Sequence, residues 1–229
     1  MLFFDIDGTL LDHKRAERRA AAALQQRHAG IFPEAPDIFT RRWHEASERH
    51  LRRHYAGELS FQGQRRARVK DLFAHARELS DDEADDIFRV YLQLYEENWS
   101  LFPDAGECLS RLGNEPLGII SNGDSMQQRR KLQAVGILER FAVVVVSNDL
   151  GISKPKRDIF DAACRTAGRR PEECIYVGDD LEADVRGSVN AGWRCIWLNR
   201  DGSQKSVAVS EISSLQQLVR TADGYTVHP

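Results

Sequence analysis

The sequence predicts an α/β protein: a doubly wound parallel sheet interrupted, early in the chain, by an all-helical insertion. Three observations carry that expectation. Five short apolar runs, Leu2–Ile6, Leu117–Ile120, Ala142–Val146, Cys174–Val177 and Cys195–Leu198, are rich in Val and Ile and nearly continuous, as strands buried on both faces of a parallel sheet should be. Helical patterns alternate with the later runs. Between the first run and the second, residues 14–99 offer no convincing strand and instead carry long amphipathic patterns dense in Arg, Ala, Glu and Gln.

In chain order, Leu2–Ile6 is the first strand. The insertion follows with four amphipathic helices, Ala16–Arg27, Ile38–His54, Gln62–Glu78 and Asp82–Asn98. The run Ser80-Asp81-Asp82-Glu83 caps the last of them. Pro103-Asp104 opens a helix over Ala105–Leu112. Helices Ser125–Val135, Asp158–Ala167 and Asp184–Ala191 stop at Gly136, Gly168 and Gly192 respectively. The expected domains are therefore 1–13 with 100–229 as the α/β core, and 14–99 as a helical domain.

Bulk properties narrow the function. The 229 residues suffice for one sizeable core with an appendage. A net charge of −3 gives no reason to expect a nucleic-acid partner. The longest unbroken apolar run, Phe141–Val146, is far short of the roughly 20 residues a membrane span needs. The opening run holds Asp5 and Asp7 and lacks a basic n-region, so it does not read as an export signal. Four scattered cysteines, Cys108, Cys164, Cys174 and Cys195, form no CxxC pair and read as reduced thiols. A cytoplasmic protein is expected.

The chemistry-bearing residues sit at predicted strand ends. Asp5 and Asp7, in Asp5-Ile6-Asp7-Gly8-Thr9-Leu10, are two apart and point the same way at the end of the first strand. Their mutual repulsion is costly unless a cation lies between them; a polar strand end leading into a turn is the other reading. Gly8 allows a sharp turn and close approach to a ligand. Ser121-Asn122-Gly123 ends the second strand and offers donors with a helix N-terminus for an oxyanion. Lys154-Pro155 can aim a point charge into the same region. Gly178-Asp179-Asp180, with Asp184 after it, ends the fourth strand with oxygen ligands suited to a hard cation; Asp180 also suits a plain helix cap. In an open α/β sheet all of these positions converge beyond the carboxyl edge.

Those four motifs, in that order, resemble the haloacid dehalogenase-like superfamily, whose core is Rossmann-like and whose first motif matches Asp5 to Leu10 in full. The resemblance covers the whole chain and makes residues 14–99 a helical cap. It implies a Mg²⁺-dependent phosphatase acting through an aspartyl-phosphate. Asp5 would be the nucleophile and Asp7 the general acid and base, with Lys154 neutralising charge. Ser121, Asn122 (through its backbone amide) and Gly123, with Gly8 and Thr9, would bind substrate. Asp5, Asp7 (through its carbonyl) and Asp179 would hold the metal, with Asp184 as a more distant or water-mediated ligand. The expected substrate is a small phosphorylated metabolite, a nucleoside monophosphate or sugar phosphate as in pyrimidine nucleotidases and acylneuraminate phosphatases. A phosphomutase of the same fold is the nearest alternative; a dehalogenase or a non-catalytic binding protein lies further off. A monomer or weak homodimer is expected. In the cap, Arg41, Arg42, Arg49, Arg52, Arg53, Arg65, Arg66 and Arg68 read chiefly as a solvated face, Trp43 and Trp99 as packing residues, and His13 as a residue near the active-site mouth.

Overall fold

The computed structural model describes residues 1–202, 209–221 and 224–227. The chain divides into two compact units, Met1–His13 with Ser100–Pro229, and Lys14–Trp99.

In the first unit, six parallel strands form one sheet: β1 (Leu2–Phe4), β2 (Leu117–Ser121), β3 (Phe141–Val146), β4 (Ile175–Gly178), β5 (Arg194–Leu198) and β6 (Ser210–Ile212), in the order β3-β2-β1-β4-β5-β6. The chain builds outward from β1 through β2 to β3, then crosses to the other side of β1 for β4. That switch places the ends of β1, β2 and β4 side by side, the position where open α/β sheets bind ligands. Phe4 lies level with Ile119 on one side and Val177 on the other. β1 and β2 are buried throughout, consistent with their apolar composition.

Four helices make up the second unit: α1 (His13–Arg27), α2 (Pro36–Tyr55), α3 (Phe61–Phe73) and α4 (Asp81–Glu96). Their apolar faces meet in a core of Leu24, Phe32, Phe39, Trp43, Phe73, Phe88 and Tyr91. Trp43 and Tyr91 lie with ring centroids 4.2 Å apart. Trp99 packs against the same cluster. Ser80 and Glu83 form a reciprocal capping box at the start of α4. Much of the arginine-rich surface is engaged locally: Arg42 with Glu34, Arg49 with Asp71, Arg53 with Glu58 and Arg66 with Asp85. The two exposed pairs, Arg49–Asp71 and Arg53–Glu58, contribute at most about 1 kcal/mol each.

Helices of the first unit are α5 (Pro103–Arg111), α6 (Ser125–Ala134), α7 (Ser147–Leu150), α8 (Arg157–Ala167) and α9 (Gly187–Asn190). Beyond β6 lies an antiparallel hairpin, β7 (Leu218–Thr221) and β8 (Gly224–Val227).

Several boundaries depart from expectation for local reasons. β1 ends at Phe4, two residues early, because the Ile6 carbonyl accepts from Leu10 and Leu11 and starts a tight turn. α3 stops at Phe73 rather than Glu78, since the Phe73 carbonyl collects the amides of Ala76 and Arg77 and closes the helix. The helix expected over Asp184–Ala191 is a π-helical turn, Leu181–Arg186, leading into α9. The Asp180 carbonyl accepts from both Asp184 and Val185, the wide spacing of a π-turn. β6 and the hairpin were not anticipated, because Ser210 and Glu211 are exposed and give no apolar run.

The turn after β1 is braced from outside. Arg200 donates to the carbonyls of Gly8 (3.2 Å) and Thr9 (2.8 Å) and pairs with Asp104 at 2.8 Å. Asp104 also accepts from Ser214 Oγ and the Leu215 amide. Burial alone would raise the Asp104 pKa, but the bonds from Arg200, Ser214 and Leu215 outweigh it and hold the carboxyl below its ordinary value. A depressed native pKa stabilises the fold fully above the unfolded carboxyl value, about 3.9, and that contribution disappears as pH falls through the lower native value. Asp104→Asn should therefore lower the urea midpoint at pH 7 while flattening its decline below about pH 4. An unchanged midpoint at pH 7 would show that the brace contributes nothing.

Candidate active site

Four charged side chains meet beyond the carboxyl edge of the sheet. Asp5 directly follows β1, its amide bonded to the Val177 carbonyl at 3.0 Å. Lys154, in the loop before α8, extends Nζ to Asp5 Oδ1 at 2.7 Å, Asp184 Oδ1 at 2.6 Å and the Tyr176 hydroxyl at 2.9 Å. The π-turn carries Asp184 inward to complete burial. Gly178 makes room for it, since a Cβ there would lie 2.3 Å from Asp184 Oδ2. Asp179 follows β4 and accepts from Thr9 Oγ1 at 3.1 Å. Gly8 is required beside it: φ is +88°, and a Cβ would meet Asp179 Oδ2 at 2.2 Å.

Ligand atoms of Asp5, Asp179 and Asp184 all lie within 4.8 Å of one another. One ammonium, Lys154, faces these three carboxylates. Burial tends to lower the Lys154 pKa, yet Asp184 and Asp5 more than reverse that and keep it charged. Burial, reinforced by Asp5 and Asp184, holds the Asp179 carboxyl well above its ordinary value. Burial likewise pushes Asp184 up to about 6, against the pull of Lys154. This surplus of buried carboxylate, all oxygen and closely spaced, fits a hard divalent cation.

The Asp7 carboxylate is not part of that cluster. It turns toward α6 instead, where Lys131 Nζ contacts Oδ1 at 2.7 Å and Oδ2 at 2.6 Å, and Gln128 Nε2 reaches Oδ2 at 3.0 Å. Burial would raise its pKa; Lys131 and His13, together with the bonds from Lys131 and Gln128, bring it below the ordinary value. His13, expected near the site, thus acts on Asp7 electrostatically.

Residues of the first two motifs also bond within the chain. Thr9 is fully buried and holds Asp179. The Gly123 amide is taken by Ser147 Oγ at 2.9 Å. The Asn122 side chain clamps the Lys154 backbone, its Oδ1 accepting from the Lys154 amide at 2.8 Å and its Nδ2 donating to the Lys154 carbonyl at 3.1 Å. Ser121, 1% exposed, accepts from Gln128 Nε2 at 2.7 Å. Asp180 is a cap, accepting from the amides of Glu182 and Ala183.

Sequence reasoning missed Lys131, Gln128, Tyr176 and Arg200. A signal existed for the first two: Gln128 and Lys131 are three apart, so they share a helix face, and that face lies just after the Ser121 motif. Tyr176 gave none, being one aromatic inside an apolar strand. Its hydroxyl donates to the Ile120 carbonyl at 2.6 Å and accepts from Lys154.

Sheet order, site position and residue types together define a hydrolase class. Residues 1–192 match the haloacid dehalogenase-like hydrolases, and the chain belongs to that family. It is 35% identical over 125 residues to the pyrimidine 5'-nucleotidase YjjG of Escherichia coli (strain K12), a match spanning 51% of this chain and 56% of that protein. With the N-acylneuraminate-9-phosphatase of Rattus norvegicus it shares 25% identity over 97% of this chain and 94% of the rat protein. Among solved structures, magnesium-bound YfnB from Bacillus subtilis superposes with a TM-score of 0.78 at 26% identity, covering 94% of both chains.

Proposed function

We propose that this chain is a Mg²⁺-dependent phosphatase that hydrolyses a small phosphorylated metabolite, a nucleoside monophosphate or sugar phosphate, through an aspartyl-phosphate on Asp5. The observation that carries this reading is the convergence of three carboxylates and one ammonium at the switch point of the sheet. The names of the matched relatives, a nucleotidase and a sugar-acid phosphatase, support the substrate class.

In this reading Asp5 attacks phosphorus, forming a P–O bond to its carboxylate while the ester P–O bond breaks. The leaving alkoxide takes a proton from Asp7. Asp7, now a carboxylate, accepts a proton from water as that water attacks the phospho-Asp5 phosphorus, releasing inorganic phosphate and restoring both groups. Ser121 donates its hydroxyl to a phosphoryl oxygen, and Lys154 holds Asp5 in place and offsets the charge of the transferring group. Asp5, Asp179 and Asp184 would hold Mg²⁺, which offsets the repulsion between an anionic nucleophile and an anionic substrate. A halide leaving group would need no proton, so an Asp7 two residues after Asp5 favours phosphate esters over haloacids.

The direct test is hydrolysis of p-nitrophenyl phosphate and of a panel of phosphorylated metabolites. EDTA should abolish turnover and Mg²⁺ should restore it. Turnover that persists undiminished in EDTA would contradict the metal-assisted reading.

A further inference from the structure

Gln128 and Lys131 lie on the inner face of α6, 2% and 4% exposed, and neither belongs to the motifs read from the sequence. A buried lysine needs a partner, and here it has Asp7, with both carboxylate oxygens contacted by one ammonium. Gln128 orients itself unambiguously. A carboxylate can only accept, so the amide nitrogen must face Asp7. The same Nε2 bonds Ser121 Oγ at 2.7 Å. One amide thus ties the Asp7 carboxylate to the Ser121 hydroxyl.

The two Asp7 oxygens are not equivalent. Oδ2 receives two donors, Lys131 and Gln128, while Oδ1 receives Lys131 alone. Each oxygen has about two lone-pair sites, so among the described residues only Oδ1 retains room for a proton. On Ser121 the hydroxyl oxygen accepts from Gln128 at 2.7 Å and its proton points to the Asn122 carbonyl at 3.4 Å, a long contact that a better acceptor can replace.

We propose that Lys131 and Gln128 are a positioning pair, which fixes the orientation of the Asp7 carboxylate with Oδ1 as the atom open to proton exchange and anchors Ser121 through its Oγ. The proposal rests on the acid/base role given to Asp7 above. Its consequence is specific. A proton is needed when the leaving group is a poor one, such as an alkoxide, and matters little for p-nitrophenolate. Losing the orientation of Asp7 must therefore damage alkyl esters selectively, whereas a general loss of structure damages all esters alike.

The experiment compares kcat/KM, which reports substrate phosphoryl transfer up to the first irreversible step, for glycerol 2-phosphate and p-nitrophenyl phosphate. It uses wild type, Lys131→Met, Lys131→Arg, Gln128→Leu and Asp7→Asn. Lys131→Met should lose at least about tenfold more on the alkyl ester than on the aryl ester, a part of the 10²–10⁴ that general acid catalysis typically supplies. Lys131→Arg should recover most of that difference. Gln128→Leu should show the same selectivity in smaller measure, with a raised KM for both esters, and it carries the test if Lys131→Met fails to fold. Equal losses on the two esters in Lys131→Met and Gln128→Leu, alongside selective loss in Asp7→Asn, would overturn the positioning pair alone. Absence of selectivity in Asp7→Asn as well would remove Asp7 from the acid role and take both readings with it.

Discussion

Asp5→Asn should reduce turnover by at least about a thousandfold, because the amide is not a nucleophile and nothing else in the cluster stands in its place. The same substitution should leave the metal-free fold as stable as wild type, or more so. Asp5 adds a like charge beside Asp179 and Asp184, and its presence raises the pKa of both. Removing it relieves that repulsion, while Lys154 keeps its 2.6 Å contact with Asp184. A site that gains stability as it loses activity is one whose charges are arranged for chemistry at a cost to the fold. The check is kcat together with the thermal midpoint in EDTA. Wild-type turnover in the variant would remove Asp5 from the mechanism, and a large drop in the midpoint would contradict the repulsion argument.

Lys154→Met should act in the opposite sense on stability. Methionine matches the length of the lysine stem but removes the ammonium that faces the three carboxylates. Lys154 is 3% exposed, Asp5 9% and Asp184 1% at the side chain, so the remaining charges cannot turn to water. Removing one partner of such a buried group costs about 3–5 kcal/mol. Asn122 would still hold the loop through its two bonds to the backbone at residue 154, so the loss belongs to the charge and not to the loop. Mg²⁺ should recover part of the deficit, because a ligand that binds only the native state stabilises it by mass action. Urea midpoints with EDTA and with Mg²⁺ test both points. A midpoint insensitive to the substitution would mean the cluster is better hydrated than its burial indicates. Turnover should fall by about a hundredfold or more, as expected when a charge-stabilising donor is lost.

The fold was legible wherever burial forced an apolar run. β1, β2 and β4 announced themselves because they are buried along their whole length, and β3 and β5 because most of theirs is, so apolar residues run nearly unbroken. β6 escaped because an edge strand with exposed Ser210 and Glu211 needs only Ile212 to anchor it. Asp5 and Asp179 were legible because each directly follows a strand, and parallel topology brings such positions together; Lys154 lies further on, in the loop before α8. The inward reach of Asp184 was less so, since it depends on a π-turn and on the absence of a Cβ at Gly178.

Lys131 and Gln128 were hidden for a different reason. Their partner Asp7 lies more than a hundred residues away, and a Lys or Gln on a helix reads as solvated until the packing of that helix is known. Other partners of the motif residues were equally illegible: Thr9 donates to Asp179, the Asn122 side chain clamps the Lys154 backbone, and the Gly123 amide bonds Ser147. Residue type defines what a group can donate or accept, whereas only the fold decides to whom.

Rapid acid quenching during turnover of a phosphate ester labelled in its phosphoryl group, followed by digestion and mapping, addresses the nucleophile most directly. The label should appear as an acyl phosphate on the peptide carrying Asp5, and should accumulate further in Asp7→Asn, where water attack on the intermediate is slowed. Label on any other residue, or steady product release with no labelled peptide in either protein, would contradict covalent catalysis by Asp5.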